Sequence, residues 1–284
     1  MDFYRHCEDR VRAADKDRFL ATLFAPAETR GALFALYAFN LEIAGVRDRV
    51  REPMAGEIRL QWWRDVLDGE RSGEAAANPI AAALRDTIAR CALPAEPLRD
   101  LLEARAFDLY DDPMPTLAAL EAYARKTSSA VFWQAARICG GATAAVEQAA
   151  EHAGAALAIT DLLRHFARHA SRRQVFVPLE LLQRHGARVE DVTAGQVGDA
   201  LRGALAALRA EARRHLVAFE LLLPQLPKAA LPAFLPLALV TGYLALMERD
   251  GYEPLRTPIE AAQWRRQWAL WRAARRYAGA MRGS

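Results

Sequence analysis

Apolar residues recur at steps of three and four positions along nearly the whole chain, which is the pattern of helices that bury one face. Proline and glycine fall between the periodic segments, where helix ends are expected. Period-two alternation is confined to 174–177, which is too short to indicate a sheet. We therefore predict one all-α domain, residues 1–284, of roughly ten helices around a central cavity. The main helices are predicted at 33–46, 58–67, 80–91, 98–109, 117–139, 144–166, 197–223, 235–249 and 261–281.

One apolar segment, residues 229–247, is free of charged side chains over about the length of a bilayer span. It contains Pro232, Pro236 and Gly242 and lies between ordinary amphipathic segments. We predict a buried core helix that begins near Pro232 or Pro236, with a transmembrane helix as the less favoured alternative.

A second pattern lies near the end of the chain, where Trp264, Trp268 and Trp271 recur at helical spacing among arginines. Such a stripe usually packs into the core, and we favour that interpretation. The alternative is a basic helix that lies on an anionic membrane surface, since tryptophan and arginine both suit that interface.

The composition is that of a globular protein, with 52% hydrophobic residues and a net charge of +3. This charge is too small to indicate a nucleic-acid partner, and the sequence has no nucleic-acid recognition motif. Cys7, Cys91 and Cys139 have neither disulfide-framework nor zinc-site spacing, so they indicate a reducing compartment. The charged N-terminal segment lacks the apolar core of a signal peptide, and we expect a cytoplasmic protein.

Polar residues of segment 154–178 define the candidate site. Asp161, His165 and His169 follow the spacing i, i+4, i+8, so a continuous helix would place them along one face. Histidines at this spacing could bind a transition metal such as zinc or iron. The favoured interpretation is a polar strip without metal, paired with Arg164 or Asp48, because no further strong ligand can be assigned to another helix.

Five short strings follow one another along the chain: Arg30 with LYAF at 36–39, QWWRDVLDG at 61–69, Gly154 and Ala156 with Thr160 and Leu163-Arg164, VFVP at 175–178, and MERDGYEPL at 247–255. In this order they resemble the squalene/phytoene synthase family. The resemblance implies the all-α isoprenyl synthase fold. In active members, two aspartate-rich motifs face each other across the cavity mouth and hold Mg²⁺ ions, which bind the diphosphates of two prenyl substrates.

The first aspartate-rich motif of the family is incomplete in this chain. Ala44 and Gly45 stand where active enzymes have an aspartate pair, and Asp48 remains, with Glu42 nearby. A cluster of several magnesium ions needs more oxygen ligands than these two carboxylates supply.

The second motif is altered in the same direction. The family's acids become His165, Arg168 and His169, and its asparagine becomes Asp161. Neutral imidazole is a poor ligand for Mg²⁺, and arginine repels the ion. We therefore expect no metal and no other cofactor, with Mg²⁺ only if the chain is an active enzyme.

The resemblance also assigns residues to the former diphosphate pocket and to the cavity wall. Phe132 replaces a glycine that lets prenyl chains approach the backbone in the family, so it should partly fill that space. A serine-phenylalanine pair of the family reads Arg18-Phe19 here. The predicted wall residues are Phe39, Ser128, Ser129 and Phe132. The predicted pocket residues are Arg30, Tyr37, Glu42, Asp48, Asp161, Arg164, His165, Arg168 and His169.

Arginines are frequent near both motifs and leave two interpretations open. They could converge at the cavity mouth and bind an anion without metal, since guanidinium groups suit phosphate. They could equally form a solvated face that nearby carboxylates balance. The arginines concerned are Arg30, Arg47, Arg164, Arg168, Arg172 and Arg173.

One branch of the family shares these departures. The strings AFNLEIAGVRDRV at 38–50, RLQWW at 59–63 and SRRQVFVP at 171–178 are similar to the branch that contains an assembly factor of respiratory complex I. This resemblance implies a non-catalytic protein that contacts a complex I subunit or assembly intermediate, peripheral to the inner membrane. The alternatives are an active prenyltransferase that condenses two prenyl diphosphates, or an isoprenoid- or lipid-binding protein.

Overall fold

Most of the predicted helices are present, and shorter ones lie between them. The computed structural model describes residues 2–280, and no strand occurs within these residues, in agreement with the all-α prediction. Met281, the predicted end of the last helix, lies outside the described residues. The helices are α1 Phe3–Ala14, α2 Lys16–Thr22, α3 Ala27–Ala44, α4 Val46–Arg49, α5 Pro53–Asp68, α6 Ser72–Ala77, α7 Pro79–Cys91, α8 Glu96–Arg105, α9 Leu117–Ala124, α10 Ala130–Ile138, α11 Ala144–Arg164, α12 Phe166–Ser171, α13 Leu179–Arg184, α14 Val189–Thr193, α15 Asp199–Leu222, α16 Leu231–Phe234, α17 Val240–Leu246 and α18 Gln263–Ala280.

Several helix ends follow directly from the local sequence. Asn78 accepts hydrogen bonds from two backbone N–H groups of α7, and Pro79 occupies the first turn of that helix. Thr143 caps α11 in the same way, by accepting from the backbone N–H of Val146. Gly69 ends α5 at φ +85°, in the left-handed conformation that glycine adopts without strain. These caps explain why the helix bounds lie where the breakers predicted them.

Two helices, α3 and α11, form the centre of the fold. α11 packs most extensively along α15 and also contacts α9, α10 and α17, whereas α3 packs against α1, α7 and α10. Their side chains belong to one large hydrophobic cluster that extends from Cys7 to Tyr277. Both helices have their C-terminal ends at the same cavity, and this shared end positions the candidate site.

Two predicted helices are interrupted close to the cavity. The segment predicted at 117–139 contains a π-helical turn, Arg125–Ser129, between α9 and α10. The segment predicted at 144–166 breaks at His165, which separates α11 from α12. Such π-helical turns are frequent at functional sites, because they shift side chains off the regular helical positions.

The apolar segment predicted as one core helix is instead a series of short helical pieces. Pro232 and Pro236 each lie in the first turn of a new piece, because proline lacks the N–H that would continue the preceding one. Among the described residues, Lys228–Leu246 is long and apolar enough to cross a membrane, but 61% of its apolar window is buried inside the fold. Phe234 and Leu237 belong to the hydrophobic core. Length and composition are weak evidence here, since core helices share them.

The tryptophan stripe of α18 faces solvent, so the favoured prediction of a core stripe is wrong. The exposed fractions of Trp264, Trp268 and Trp271 are 63%, 55% and 41%. The opposite face of α18 is buried, through Leu270 and Tyr277. The face of α18 that carries Leu270 and Tyr277 therefore packs against the core, and the indole rings remain in solvent.

The backbone of α11 approaches the π-helical turn very closely at Gly154. A Cβ atom at this position would overlap the backbone N and Cα atoms of Ser129. Because the overlapping atoms belong to the backbone, rotation of a side chain cannot make room for a larger residue. Glycine at position 154 therefore sets the distance between α11 and the turn that carries Ser128 to the cavity.

Replacing Gly154 by alanine should lower the free energy of unfolding by about 1–3 kcal/mol, the range for overpacking a filled core. Urea unfolding followed by circular dichroism measures this change. Gly242→Ala in α17 is the matched control, because no atom lies within 4 Å of a Cβ placed there. The control should be neutral or stabilising by up to about 1 kcal/mol. Equal stability of Gly154→Ala and wild type would contradict the close approach.

Candidate functional site

A cavity of about 640 Å³ lies between the ends of α1, α3 and α11 and the short helices α2, α4 and α12. Its volume is typical of a small-molecule site. Ten basic side chains and six carboxylates line it, with few large apolar groups between them. The candidate functional site is therefore a strongly charged cavity in which basic groups predominate.

The structure brings six of the predicted pocket residues together at this cavity. One comes from α4, and the others come from α11, α12 and the break between these two helices. Ser128, a predicted wall residue, also lines the cavity. The six pocket residues are Asp48, Asp161, Arg164, His165, Arg168 and His169.

Two other predicted pocket residues lie away from the cavity wall. Arg30 donates to the backbone carbonyls of Leu23 and Ala25 at 2.9 Å each, so its guanidinium group braces the loop before α3. Tyr37 is buried, and the guanidinium group of Arg18 lies 5.5 Å from the centroid of its ring. Arg18 lines the cavity where Tyr37 was predicted.

Three predicted wall residues are packed behind the wall. The Phe39 ring meets Trp63 edge to face, with ring centroids 5.1 Å apart. Phe132 stacks on Phe234, with centroids 5.7 Å apart and an angle of 5° between the rings. The hydroxyl of Ser129 donates to a backbone carbonyl of α11 at 3.1 Å. Aromatic rings thus occupy the space around position 132.

Asp48, the remaining aspartate of the first motif, lies between two arginines. Arg172 contacts one of its carboxylate oxygens, and the guanidinium group of Arg168 lies 3.6 Å from the other. Glu42 is engaged in the same way by one arginine of α1 and one of α4. Those two arginines line the cavity, whereas Glu42, predicted as a pocket residue, lies behind them.

The break at His165 changes the geometry of the second motif. Backbone hydrogen bonds continue through the break, from His165 N–H to the Asp161 carbonyl and from His169 N–H to the His165 carbonyl, at 3.0 Å each. The ring Nδ1–H of His165 donates to the same Asp161 carbonyl at 2.8 Å, so the neutral ring carries its proton on Nδ1. The Asp161 carboxylate accepts from Arg164 at 2.9 Å. The three residues line the cavity, but the predicted straight strip on one continuous helix is wrong.

Asp17 is the centre of an ionic network beside the second motif. Its carboxylate accepts a hydrogen bond from the Tyr243 hydroxyl at 2.6 Å, and Arg266 and Arg164 lie 3.0 and 3.6 Å from its oxygens. The Arg164 guanidinium group also lies 3.8 Å from the centroid of the Tyr243 ring. Burial raises the pKa of Asp17, and Tyr243 and the arginines oppose that shift. The network joins α2, α11, α17 and α18, and the sequence patterns did not indicate it.

A second network lines another part of the wall. Arg105 donates to the Asp108 carboxylate at 2.9 Å and to the Tyr123 hydroxyl at 2.7 Å. The Tyr123 hydroxyl in turn donates to Asp108 at 2.7 Å. Gln174 donates to the backbone carbonyl of Asp108 at 2.8 Å, which ties this network to the segment after α12. The Asp108 carboxylate is therefore also occupied by partners from within the chain.

The donor set of the cavity does not fit a magnesium cluster. Within residues 2–280, no group of three or more His, Cys, Asp or Glu side chains is placed to hold a metal ion. Asp48 and Asp161 each contact an arginine, so Mg²⁺ would have to displace a guanidinium group from both carboxylates. The cavity has the chemistry of paired arginines and carboxylates and lacks the oxygen cage of a metal site.

Both cavity histidines are held in the neutral form. Burial lowers the pKa of His169 to about 3, and the positive charges of Arg168 and Arg105 add to the shift. Burial also lowers the pKa of His165. The ring of His169 packs against Phe176, with centroids 4.9 Å apart. The positive charge of the cavity at neutral pH therefore comes from arginine and lysine.

We predict that the free energy of unfolding decreases as the pH is lowered from 7 to 5. The unfolded chain protonates its histidines near pH 6.5, whereas the pKa of folded His169 is about 3. This contribution to stability is complete above about pH 6.5 and is lost as the pH falls below it. His169→Gln removes this histidine, so the decrease in the free energy of unfolding between pH 7 and pH 5 should be smaller than in wild type by about 1 kcal/mol. This figure is below the value that the pKa difference alone would give, because partial solvent access weakens the electrostatic effect.

Urea unfolding at a series of pH values measures this difference. His6→Gln is the control, because it removes a histidine whose side chain is exposed on α1, away from the cavity. If wild type and His169→Gln lose the same stability on acidification, the fold does not hold His169 neutral.

The helical fold is that of the isoprenyl synthases, and the chain belongs to the squalene/phytoene synthase family. The family model described as Squalene/phytoene synthase matches residues 11–272. The family predicted from the five sequence strings is thereby confirmed.

Named assembly factors and a named synthase are both among the curated relatives of this chain. NADH dehydrogenase (ubiquinone) complex I, assembly factor 6 of Bos taurus is 30% identical over 249 residues, covering 88% of this chain and 75% of the relative. The Homo sapiens protein of the same name is 29% identical, covering 87% of this chain and 74% of the relative. The 15-cis-phytoene synthase of Synechococcus elongatus is 24% identical, covering 94% of this chain and 91% of the relative. The chain is thus similar both to proteins named as assembly factors and to a named synthase.

Solved structures of synthases share the fold. A dehydrosqualene synthase in complex with ligand superimposes with a TM-score of 0.85 at 17% identity, covering 98% of this chain and 97% of that one. Squalene synthase HpnC from Alicyclobacillus acidocaldarius superimposes with a TM-score of 0.74 at 24% identity, covering 89% and 95%. At these identities the similarity concerns the fold, and it confirms the predicted isoprenyl synthase architecture.

Proposed function

We propose that this protein is a non-catalytic member of the family that acts in the assembly of respiratory complex I. The observation that carries the proposal is the pairing of Asp48 and Asp161, the carboxylates that remain in the two altered motifs, with arginines. Relatives named complex I assembly factor 6, at about 30% identity over most of the chain, support the role.

The chemistry of the cavity argues against the family's condensation reaction. Ionising a prenyl diphosphate requires cations that take up the negative charge of the leaving group. Here His165 and His169, whose pKa values are lowered, stand where acids would bind those cations. Prenyl chains also need apolar space, and Phe132 stacks on Phe234 within the core. We infer that the protein works through its surface, by contact with a complex I subunit or assembly intermediate.

The proposal includes a position at the cytoplasmic face of the inner membrane, through α18. The rings of Trp268 and Trp271 stack with centroids 5.1 Å apart, and the Arg275 guanidinium group lies 4.8 Å from the Trp271 centroid. Exposed tryptophan beside arginine suits the surface of an anionic bilayer, which attracts both side chains. The opposite face of α18 remains in the core, so membrane contact would not require the helix to leave the fold.

Deleting the gene from its host should lower the amount of assembled complex I severalfold, because an intermediate would lack its assembly partner. Native gel electrophoresis of membranes, together with NADH oxidation by complex I, measures the loss. Expression of the chain from a plasmid should restore both, and an unrelated respiratory complex serves as the internal control. Unchanged complex I in the deletion strain would refute the assembly role.

A companion assay addresses the absence of catalysis. Purified protein incubated with farnesyl or geranylgeranyl diphosphate and Mg²⁺ should release no diphosphate. If diphosphate is released, and Asp48→Ala or Asp161→Ala abolishes the release, the chain is an active prenyltransferase and the non-catalytic proposal fails.

Replacing Trp268 and Trp271 by alanine should weaken binding to anionic vesicles roughly tenfold, because exposed indole rings anchor such a helix. Cosedimentation with vesicles measures binding, and unfolding curves should match wild type since both rings are exposed. The matched control replaces Met54 and Ile58 of α5 by alanine, because their side chains are exposed to a similar extent, at 65% and 64%. If the control weakens binding as much as the tryptophan variant does, the proposed role of α18 fails.

A further inference from the structure

The cavity contains more guanidinium groups than its carboxylates can neutralise. Asp48 is shared by Arg168 and Arg172, and Glu42, just behind the wall, is shared by two further arginines. In the whole lining, ten basic side chains face six carboxylates. Since the cavity histidines are neutral, this surplus of positive charge is uncompensated by the residues of the wall.

Arg168 and Arg172 are the accessible part of this surplus. They lie one helical turn apart at the end of α12, and both contact Asp48. The exposed fractions of their side chains are 49% and 38%, so an ion from solution can reach them. Burial lowers the pKa of Arg168, and the nearby Asp161 carboxylate offsets only part of that shift.

We propose that the cavity binds a phosphate or diphosphate group directly through Arg168 and Arg172, without a metal ion. Guanidinium groups form paired, charge-assisted hydrogen bonds with phosphate oxygens. A phosphate carries more negative charge than Asp48, so it can engage both arginines and replace the carboxylate as their partner. This site does not depend on the assembly role, and the two are tested by separate experiments.

The bound group can come from a free ion or from the headgroup of a phosphorylated lipid. The cavity volume of about 640 Å³ has room for a diphosphate and for part of an attached group. The core beside it is filled where Phe132 stacks on Phe234, so burial of a long tail there gains little. We therefore expect the inorganic ion to bind about as well as its farnesyl ester.

Isothermal titration of the full chain with inorganic pyrophosphate, in buffer containing EDTA, tests the site. Wild type should bind, and the double variant Arg168→Gln/Arg172→Gln should bind roughly tenfold or more weakly. Arg99→Gln is the matched control, because Arg99 pairs with Asp68 and is absent from the cavity wall. The control should bind like wild type.

Asp48→Asn should change the affinity for pyrophosphate in the opposite direction. Asparagine keeps the size of the side chain but removes the negative charge that competes for Arg168 and Arg172, so pyrophosphate should bind severalfold more tightly. A magnesium-bridged site would instead lose a ligand and bind more weakly. Because tighter binding cannot result from misfolding, this variant separates the two modes.

Three results would overturn the proposal: no binding by wild type, binding that appears only with Mg²⁺, or equal affinity in the arginine double variant. Parallel titrations with farnesyl diphosphate and with vesicles containing phosphatidic acid identify the source of the group. Tighter binding of either one than of pyrophosphate, lost in the Arg168→Gln/Arg172→Gln variant, supports the site with a lipid headgroup. Comparable or weaker binding, or vesicle binding that the double variant retains through α18, supports it with the free ion. None of these results changes the complex I measurement, which is made in cells.

Discussion

The depth at which α11 reaches the cavity is set by the contact between Gly154 and Ser129. The two backbones meet with no space for a Cβ atom, so the last turns of α11 cannot shift relative to the π-helical turn. Asp161 and Arg164 lie in these last turns and pair with each other, and Arg164 also reaches Asp17 of α2. A steric constraint in the core therefore fixes where charges appear in the cavity.

The charged residues of the cavity are energetically interdependent. Removing one member of a buried ion pair typically costs about 3–5 kcal/mol, because the other charge is left without a partner. Arg164 is shared by Asp17 and Asp161, and Asp17 also contacts Arg266 and Tyr243. Changes at one of these positions alter the cost of changes at the others. A cavity of this kind tolerates coordinated substitutions better than single ones.

Much of the fold, and part of the site, could be predicted from the sequence. Helical periodicity and breakers gave the main helices, and short strings gave the family, because both are local features. Asp17 and Arg266 could not be paired in advance, since they are far apart in sequence and meet through the packing of α2 on α18. Arg30 was wrongly predicted as a pocket residue because its partners are backbone carbonyls, and no sequence pattern indicates a hydrogen bond to the backbone. For α18, periodicity alone could not choose between the Trp268 face and the Leu270 face.

α18 has one side in the charged interior and the other in solvent. Arg266 contacts Asp17 on the inner side, and Trp268, only two residues later, is exposed on the outer side. A helix is stiff over so short a distance, so a displacement of the backbone at Trp268 also displaces the backbone at Arg266. Whatever holds Trp268 from outside also restrains Arg266 inside. A rotation of α18 imposed at the surface would therefore change the distance between Arg266 and the Asp17 carboxylate.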